Sequence, residues 1–270
     1  MSAGIDPVST RSVDFQNRGR VVWLTIERPA KLNALDPATI RALTAAARPL
    51  SEDAHLRAVV VTGAGERAFI GGADLDAMAG LDAASAEAFI TELHHAIAAV
   101  RAIPVPVIAR INGYCLGAGL ELAAACDLRL ASDNAVFGMP EVNVGMPSVI
   151  EAALLPRLVG WGRTAQLVLL GENIGAAEAL AIGLVEKVVA PAELDRAVEA
   201  WIDGILGAGV NAVRLQKALM REWERLPIDA AIQAGIESFR ASFSGGEPHR
   251  MLMSFMERRR IARDRKEPNR

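Results

Sequence analysis

Apolar and polar positions alternate in two different rhythms along this chain. Residues 21–26 form a β-rich run and predict a strand. Asp36 followed by Pro37 supplies an N-cap with proline at the first helical position, and the helix it starts runs to about residue 50. Residues 58–62 read as a buried strand ending in the turn Gly63-Ala64-Gly65, and residues 85–101 as a long helix. Third and fourth strands are expected at 105–111 and 128–131. Short strands alternating with helices predict an α/β fold with parallel sheet built from β-α crossover units. From residue 154 onward the pattern turns helical, with one candidate strand at 184–189 and helices near 192–207, 209–225, 228–242 and 248–263. The polar stretch before residue 21 reads as a short arm, and the basic stretch 258–270 as a solvated, fraying helix end.

Composition narrows the classes of function. The chain has 270 residues, 51% of them apolar, enough for a sizeable core. A net charge of −3 gives no electrostatic drive toward nucleic acid. No apolar run approaches the roughly 20 residues of a membrane span. The first twenty residues carry Asp6, Arg11, Asp14, Arg18 and Arg20 and lack an apolar segment, against a secretory signal; the two acids also argue against an organellar presequence. Cys115 and Cys126 are too few for a disulfide scaffold, so cytoplasm is the expected compartment. His94-His95 lack spaced carboxylates or cysteines, so no metal site is expected. No Gly-x-Ser-x-Gly elbow occurs, which disfavours an α/β-hydrolase.

Three segments carry candidate chemistry. Gly71-Gly72-Ala73-Asp74-Leu75 is a glycine loop able to aim a main-chain N–H at a ligand oxygen, or an ordinary turn. Asn112 to Leu122 is glycine-rich and joins a strand to a helix, which places unpaired N–H groups at a positive helix end. Such an end holds a phosphate or a developing oxyanion. It lacks the Gly-Lys-Ser/Thr ending of a Walker loop and the spacing of a dinucleotide fold. Glu121 lies inside the apolar stretch 120–126, either as a helix-dipole partner or as a catalytic acid. Glu141 stands among apolar residues in the Gly/Pro-punctuated loop 137–147. Two carboxylates in one apolar pocket cannot both ionise easily, which provides a base and an acid at neutral pH.

Residues 110–145, together with Asn33-Ala34-Leu35, the run 69–75 and Ala181-Ile182-Gly183-Leu184-Val185, resemble the crotonase (enoyl-CoA hydratase/isomerase) superfamily in its order of motifs. The resemblance implies a spiral of β-β-α units over residues 20–195 after an arm at 1–19. A helical region at 196–270 would pack subunits into homotrimers or homohexamers. It further implies no permanently bound cofactor, with coenzyme A arriving as part of an acyl-CoA thioester. Lys31, Asn33, Ala34, Ala73, Asp74, Leu75, Asp76, Ala118 and Ser148 would contact it. The thioester oxygen would accept from the N–H groups of Ala73 and Ala118. Glu121 would orient and activate water, and Glu141 would exchange a proton with the α-carbon. Members that only isomerise usually keep the later acid alone, so the presence of both implies an enoyl-CoA hydratase. The alternatives are an isomerase, hydrolase or decarboxylase on the same enolate chemistry, or a non-catalytic CoA- or RNA-binding homologue.

One departure stands out. Where hydratases commonly carry a glycine-rich run, this chain reads Pro147-Ser148-Val149-Ile150-Glu151-Ala152. Glu151 adds a third acid near the expected site. It either reshapes the acyl pocket or, the favoured reading, is the first-turn charge of a helix capped by Ser148 in a capping box.

Overall fold

A computed structural model describes residues 6–266. The chain divides into two compact units, 1–203 and 204–270. The first unit opens with strands β1 (Val8–Asp14) and β2 (Arg20–Ile26), helix α1 (Pro37–Ala47) and strands β3 (Leu56–Gly63) and β4 (Ala68–Ile70). Helices α2 (Leu75–Met78) and α3 (Ala83–Arg101) follow, then β5 (Val107–Ile111), β6 (Tyr114–Leu116), α4 (Ala118–Ala125), β7 (Leu128–Ser132) and β8 (Val136–Gly138). The unit continues through α5 (Leu155–Leu170), β9 (Asn173–Gly175), α6 (Ala176–Ala181), β10 (Lys187–Val189) and α7 (Leu194–Gly207), which runs past its boundary.

Two sheets result. One has six strands in the order β1-β2-β3-β5-β7-β10, the other four in the order β4-β6-β8-β9. Three strands of the first sheet are each followed by a short strand of the second. β3 leads to β4, β5 to β6 and β7 to β8, and each repeat pairs in parallel with the one before. This is the expected spiral of β-β-α turns. β3 is buried at every position, as a strand covered on both faces must be, and its neighbours enclose a core that includes Leu24, Leu43, Ile97, Leu120 and Phe137.

Local signals explain the helix starts. Asp36 caps α1 by accepting from the Thr39 N–H at 2.8 Å, as the Asp-Pro pair predicts. α3 begins with a reciprocal capping box between Asp82 and Ser85, each side chain 2.9 Å from the other's backbone N–H.

Several expectations need correction. The polar segment before residue 21 is not a loose arm throughout. Residues 8–14 form β1, paired antiparallel with all of β2 from Val8↔Ile26 to Asp14↔Arg20. Its polarity reflects an edge position with side chains open to solvent. Residues 1–5 lie outside the described residues. The three-residue strands β4, β6, β8 and β9 had no counterpart in the sequence reading. α5 was also missed; it is kinked at Gly160 (φ 76).

In the second unit, α8 (Val210–Trp223), α9 (Ile228–Ser242) and α10 (Glu247–Lys266) match the helices expected there. The Glu247 carboxylate accepts from the N–H groups of Asn211 and Ala212 at 3.1 and 2.9 Å, covering the N-terminus of α8. The basic end continues α10 as far as Lys266; residues 267–270 lie outside the described residues. Ile228, Ile232, Ile236 and Phe239 recur at helical spacing along α9 and are all exposed.

Candidate active site

A cavity of about 500 Å³ opens within the first unit. One wall is main chain, from Gly71 to Ala73 and from Gly117 to Ala118. Another part of the lining is apolar, with Ala86, Phe89, Ile90 and Leu93 at the i, i+3, i+4, i+7 spacing of one face of α3. Glu121 and Glu141 both face this space.

The two main-chain segments are aimed by their surroundings. Ala73 forms a parallel bridge with Leu35, but the bonds come from its neighbours: Leu35 N–H donates to Gly72 at 2.9 Å and Asp74 N–H to Leu35 at 3.0 Å. In that pattern the N–H of Ala73 itself points out of the pairing. Ala118 is the first residue of α4, where N–H groups have no intrahelical partner. Gly117 before it has φ 51, and a side chain there would overlap Oε1 of Glu141. The two loops abut, since a Cβ on Gly72 would lie 3.4 Å from the Leu116 carbonyl oxygen.

Glu121, in the first turn of α4, is 4% exposed. Its Oε1 accepts from the N–H of Ala152 at 3.1 Å. Burial raises its pKa to about 8; the Ala152 N–H opposes this, and the charges of Glu141 and Glu151 add to it. Glu141 sits in the 3₁₀ turn Pro140–Val144, half-buried, with Oε2 accepting from the Ser148 hydroxyl at 2.7 Å. The two acids and the two N–H-bearing loops thus meet around one cavity.

The capping-box reading of Ser148 and Glu151 is overturned. The 3₁₀ turn Ile150–Leu154 starts from Val149 with no side-chain cap. Ser148 is engaged by Glu141, and Glu151 is buried against Nδ1 of His94 at 2.8 Å. His94 carried no signal in the sequence, because its partner is 57 positions away.

The remaining expected contacts fall into two groups. Asn33 is fully enclosed at 0% exposure: its amide donates to Ala64 and Ala68 carbonyls at 3.0 and 2.8 Å and accepts from the Arg28 N–H at 3.0 Å. Asp74 is buried too, capping α2 through the Asp76 N–H and meeting the Arg28 guanidinium at 2.9 Å. These two side chains build the loops and do not face the cavity. Arg28, unremarked in the sequence, also reaches Asp36 at 3.1 Å and the Ala34 carbonyl. Lys31 and Asp76 form an exposed pair at 2.8 Å beside the loops, and Leu75 is an exposed part of the cavity lining.

Among the described residues, no group of three or more His, Cys, Asp or Glu could hold a metal ion, and no helix is long and apolar enough to cross a membrane. Cys115 and Cys126 are both buried.

Residues 16–264 match the family model described as enoyl-CoA hydratase/isomerase. The chain is 36% identical to the short-chain-enoyl-CoA hydratase of Clostridium acetobutylicum, over 93% of this chain and 96% of that protein. It is also 36% identical to the crotonyl-CoA hydratase of Syntrophomonas wolfei, over 92% of this chain and 96% of that one. The crystal structure of an enoyl-CoA hydratase from Bacillus anthracis superposes with a TM-score of 0.88 at 31% identity, covering 93% of this chain and 96% of that one. The spiral fold, the order of its motifs and these likenesses together place the chain in the enoyl-CoA hydratase/isomerase family.

Proposed function

We propose that this protein is an enoyl-CoA hydratase, adding water reversibly and syn across the double bond of a 2-enoyl-CoA thioester. The observation that carries the reading is the meeting of Glu121 and Glu141 at one cavity, beside the outward N–H of Ala73 and the helix-start N–H of Ala118.

In the hydration direction, ionised Glu121 takes a proton from water as the water oxygen bonds to C3. The C2=C3 electron pair moves toward the thioester, whose oxygen takes up negative charge. Donors fixed at that oxygen stabilise the charge as it develops; the Ala73 and Ala118 N–H groups fill this role. Glu141 then gives its proton to C2. The pair has gained one proton from water and lost one to carbon, so no external acid, base or electron carrier is consumed. Burial lets Glu121 hold its proton through neutral pH. That distribution is the one left after water adds, and the starting one for dehydration. Hydration begins once the proton has passed to Glu141.

Coenzyme A would lie along the rim formed by Lys31, Ala34 and Asp76, with Asn33 and Asp74 holding that rim in shape. The apolar side of α3 receives the acyl chain. The exposed apolar stripe of α9 supports assembly into a trimer or hexamer, because stripes of this kind mark association surfaces.

The test is turnover of short, medium and branched 2-enoyl-CoA substrates, followed as loss of the conjugated thioester absorbance. Hydration lost in both Glu121→Gln and Glu141→Gln is the expected result. Full hydratase activity in Glu121→Gln would rule out its water-activating role and favour an isomerase.

A further inference from the structure

Glu151 is a buried acid to which the addition of water gives no task. It is 6% exposed and directly precedes Ala152, whose N–H holds Glu121. Oε1 meets His94, while Oε2 is buried with no hydrogen-bond partner in the structure. The turn that carries it is entered through Ile150 at φ 39, a backbone conformation that β-branched residues rarely adopt. Strain, a half-satisfied carboxylate and a buried charge are tolerated together at functional sites far more readily than in a plain turn.

We propose that Glu151 and His94 form a positioning device for Glu121: the pair fixes the turn whose N–H grips that carboxylate, and it holds the charge of Glu151 at a set place beside it. The inference rests on the reading of Glu121 as the water-activating acid.

Titratable groups lie on each element packed around the pair. From α3 come His94, with its side chain 48% exposed, and Arg101; His95 is adjacent and Glu87 lies at the cavity. α4 brings Glu121, and the turn Pro140–Val144 brings Glu141. β6, which packs against α4, carries Tyr114 and Cys115, a thiol that burial pushes well up. α5 carries Arg157 and Arg163, the latter 3.4 Å from Glu178. Burial pushes Glu151 toward its protonated form, and His94 and Arg101 oppose that. The negative charge of Glu151 in turn favours a protonated Glu121. The contact with His94 holds Oε1 of Glu151 in place, so that the charge of Glu151 acts on Glu121 from a fixed position.

The experiment is a ¹³C NMR titration of the glutamate side-chain carboxyls in the full-length protein, with Glu121 assigned by its absence in Glu121→Gln. It is run on wild type, Glu151→Gln, His94→Gln and the double variant, alongside pH profiles of enoyl-CoA hydration. Glu151→Gln should lower the Glu121 midpoint by about one pH unit, a tenfold change in proton affinity. His94→Gln should shift it in the wild-type background and leave it unmoved when Glu151 is already Gln. A midpoint unchanged in Glu151→Gln, or a His94 effect of equal size in both backgrounds, overturns the inference. His94 is exposed on α3, so if Glu151→Gln fails to fold, a His94→Gln midpoint identical to wild type is equally decisive. The titration reads the carboxyl itself, so it decides the matter even if hydration is absent and the hydratase reading fails.

Discussion

The N–H of Ala152 donates to Oε1 of Glu121 at 3.1 Å, across 31 residues of chain, in a setting where the carboxyl group is otherwise walled off from water. One such bond does not offset the desolvation, and the proton affinity of Glu121 rises from 4.5 to about 8. A carboxyl with a raised folded pKa contributes stability that is fully present below the unfolded value and is lost as pH rises through the folded one. Wild type should therefore lose stability from about pH 4.5 to 8 through this group. Glu121→Gln should be the more stable protein at pH 8–9, by on the order of a few kcal/mol at most, and should match wild type near pH 4. Thermal melts across that range check it; a constant difference between the two proteins would contradict the assignment.

The same group should set the pH dependence of turnover. Glu121 near 8 already includes the negative charge of Glu141, so it describes loss of the pair's last proton. kcat/KM for hydration should fall above about pH 8, roughly tenfold per unit. A profile flat to pH 10 would place the essential proton elsewhere.

Glu121→Gln and Glu141→Gln should each lower kcat by about 10²–10⁴ with the fold intact. Combining them should cost far less than the product of the single losses, because the two acids work on one substrate as a unit. Steady-state kinetics with circular dichroism controls test both points.

Gly117→Ala attacks the same site through the backbone. The position has φ 51, and the added methyl would overlap Oε1 of Glu141. The strain costs about 1–3 kcal/mol. Glu141 must swing away, so kcat should collapse more than stability does. Intact turnover in this variant would show that Glu141 does not need its present place.

Ala118→Gly should be mild, since the donor is the main chain. Ala118→Pro removes the N–H at a helix position where proline is otherwise accepted. Loss of one oxyanion donor costs about 2.7–4 kcal/mol, or roughly 10²–10³ in kcat. Proline also restrains Gly117, so a melting curve and a CoA-binding measurement accompany the assay. A folded, CoA-binding Ala118→Pro protein with near wild-type turnover would remove Ala118 from the oxyanion role.

The long strands and capped helices were readable because each carries its own signal: β3 through the apolar run at 58–61, α1 as Asp36-Pro37 before an amphipathic stretch. β4, β6 and β8 were not, because three residues hold no period and exist through pairing with the next spiral turn. α5 hid behind Gly160 and behind Trp161, Leu169 and Leu170, which are apolar yet exposed. Both glutamates could be picked out as acids set in apolar, glycine-bearing segments. The partners of Glu151 and Asn33 could not, since His94, Ala64 and Ala68 are brought to them only by the folded chain.

The cavity is built from two independent kinds of part. One side is main chain anchored by strand pairing, plus two acids, whereas the side proposed to receive the acyl chain is a row of replaceable side chains on α3. Enlarging Phe89, Ile90 or Leu93, or trimming them, alters the room for a substrate tail without touching a donor or a proton. On the proposed placement, chain-length preference should therefore be a tunable trait. Variants along that helix face should exchange one acyl specificity for another in KM while the rate of the chemical step stays nearly constant.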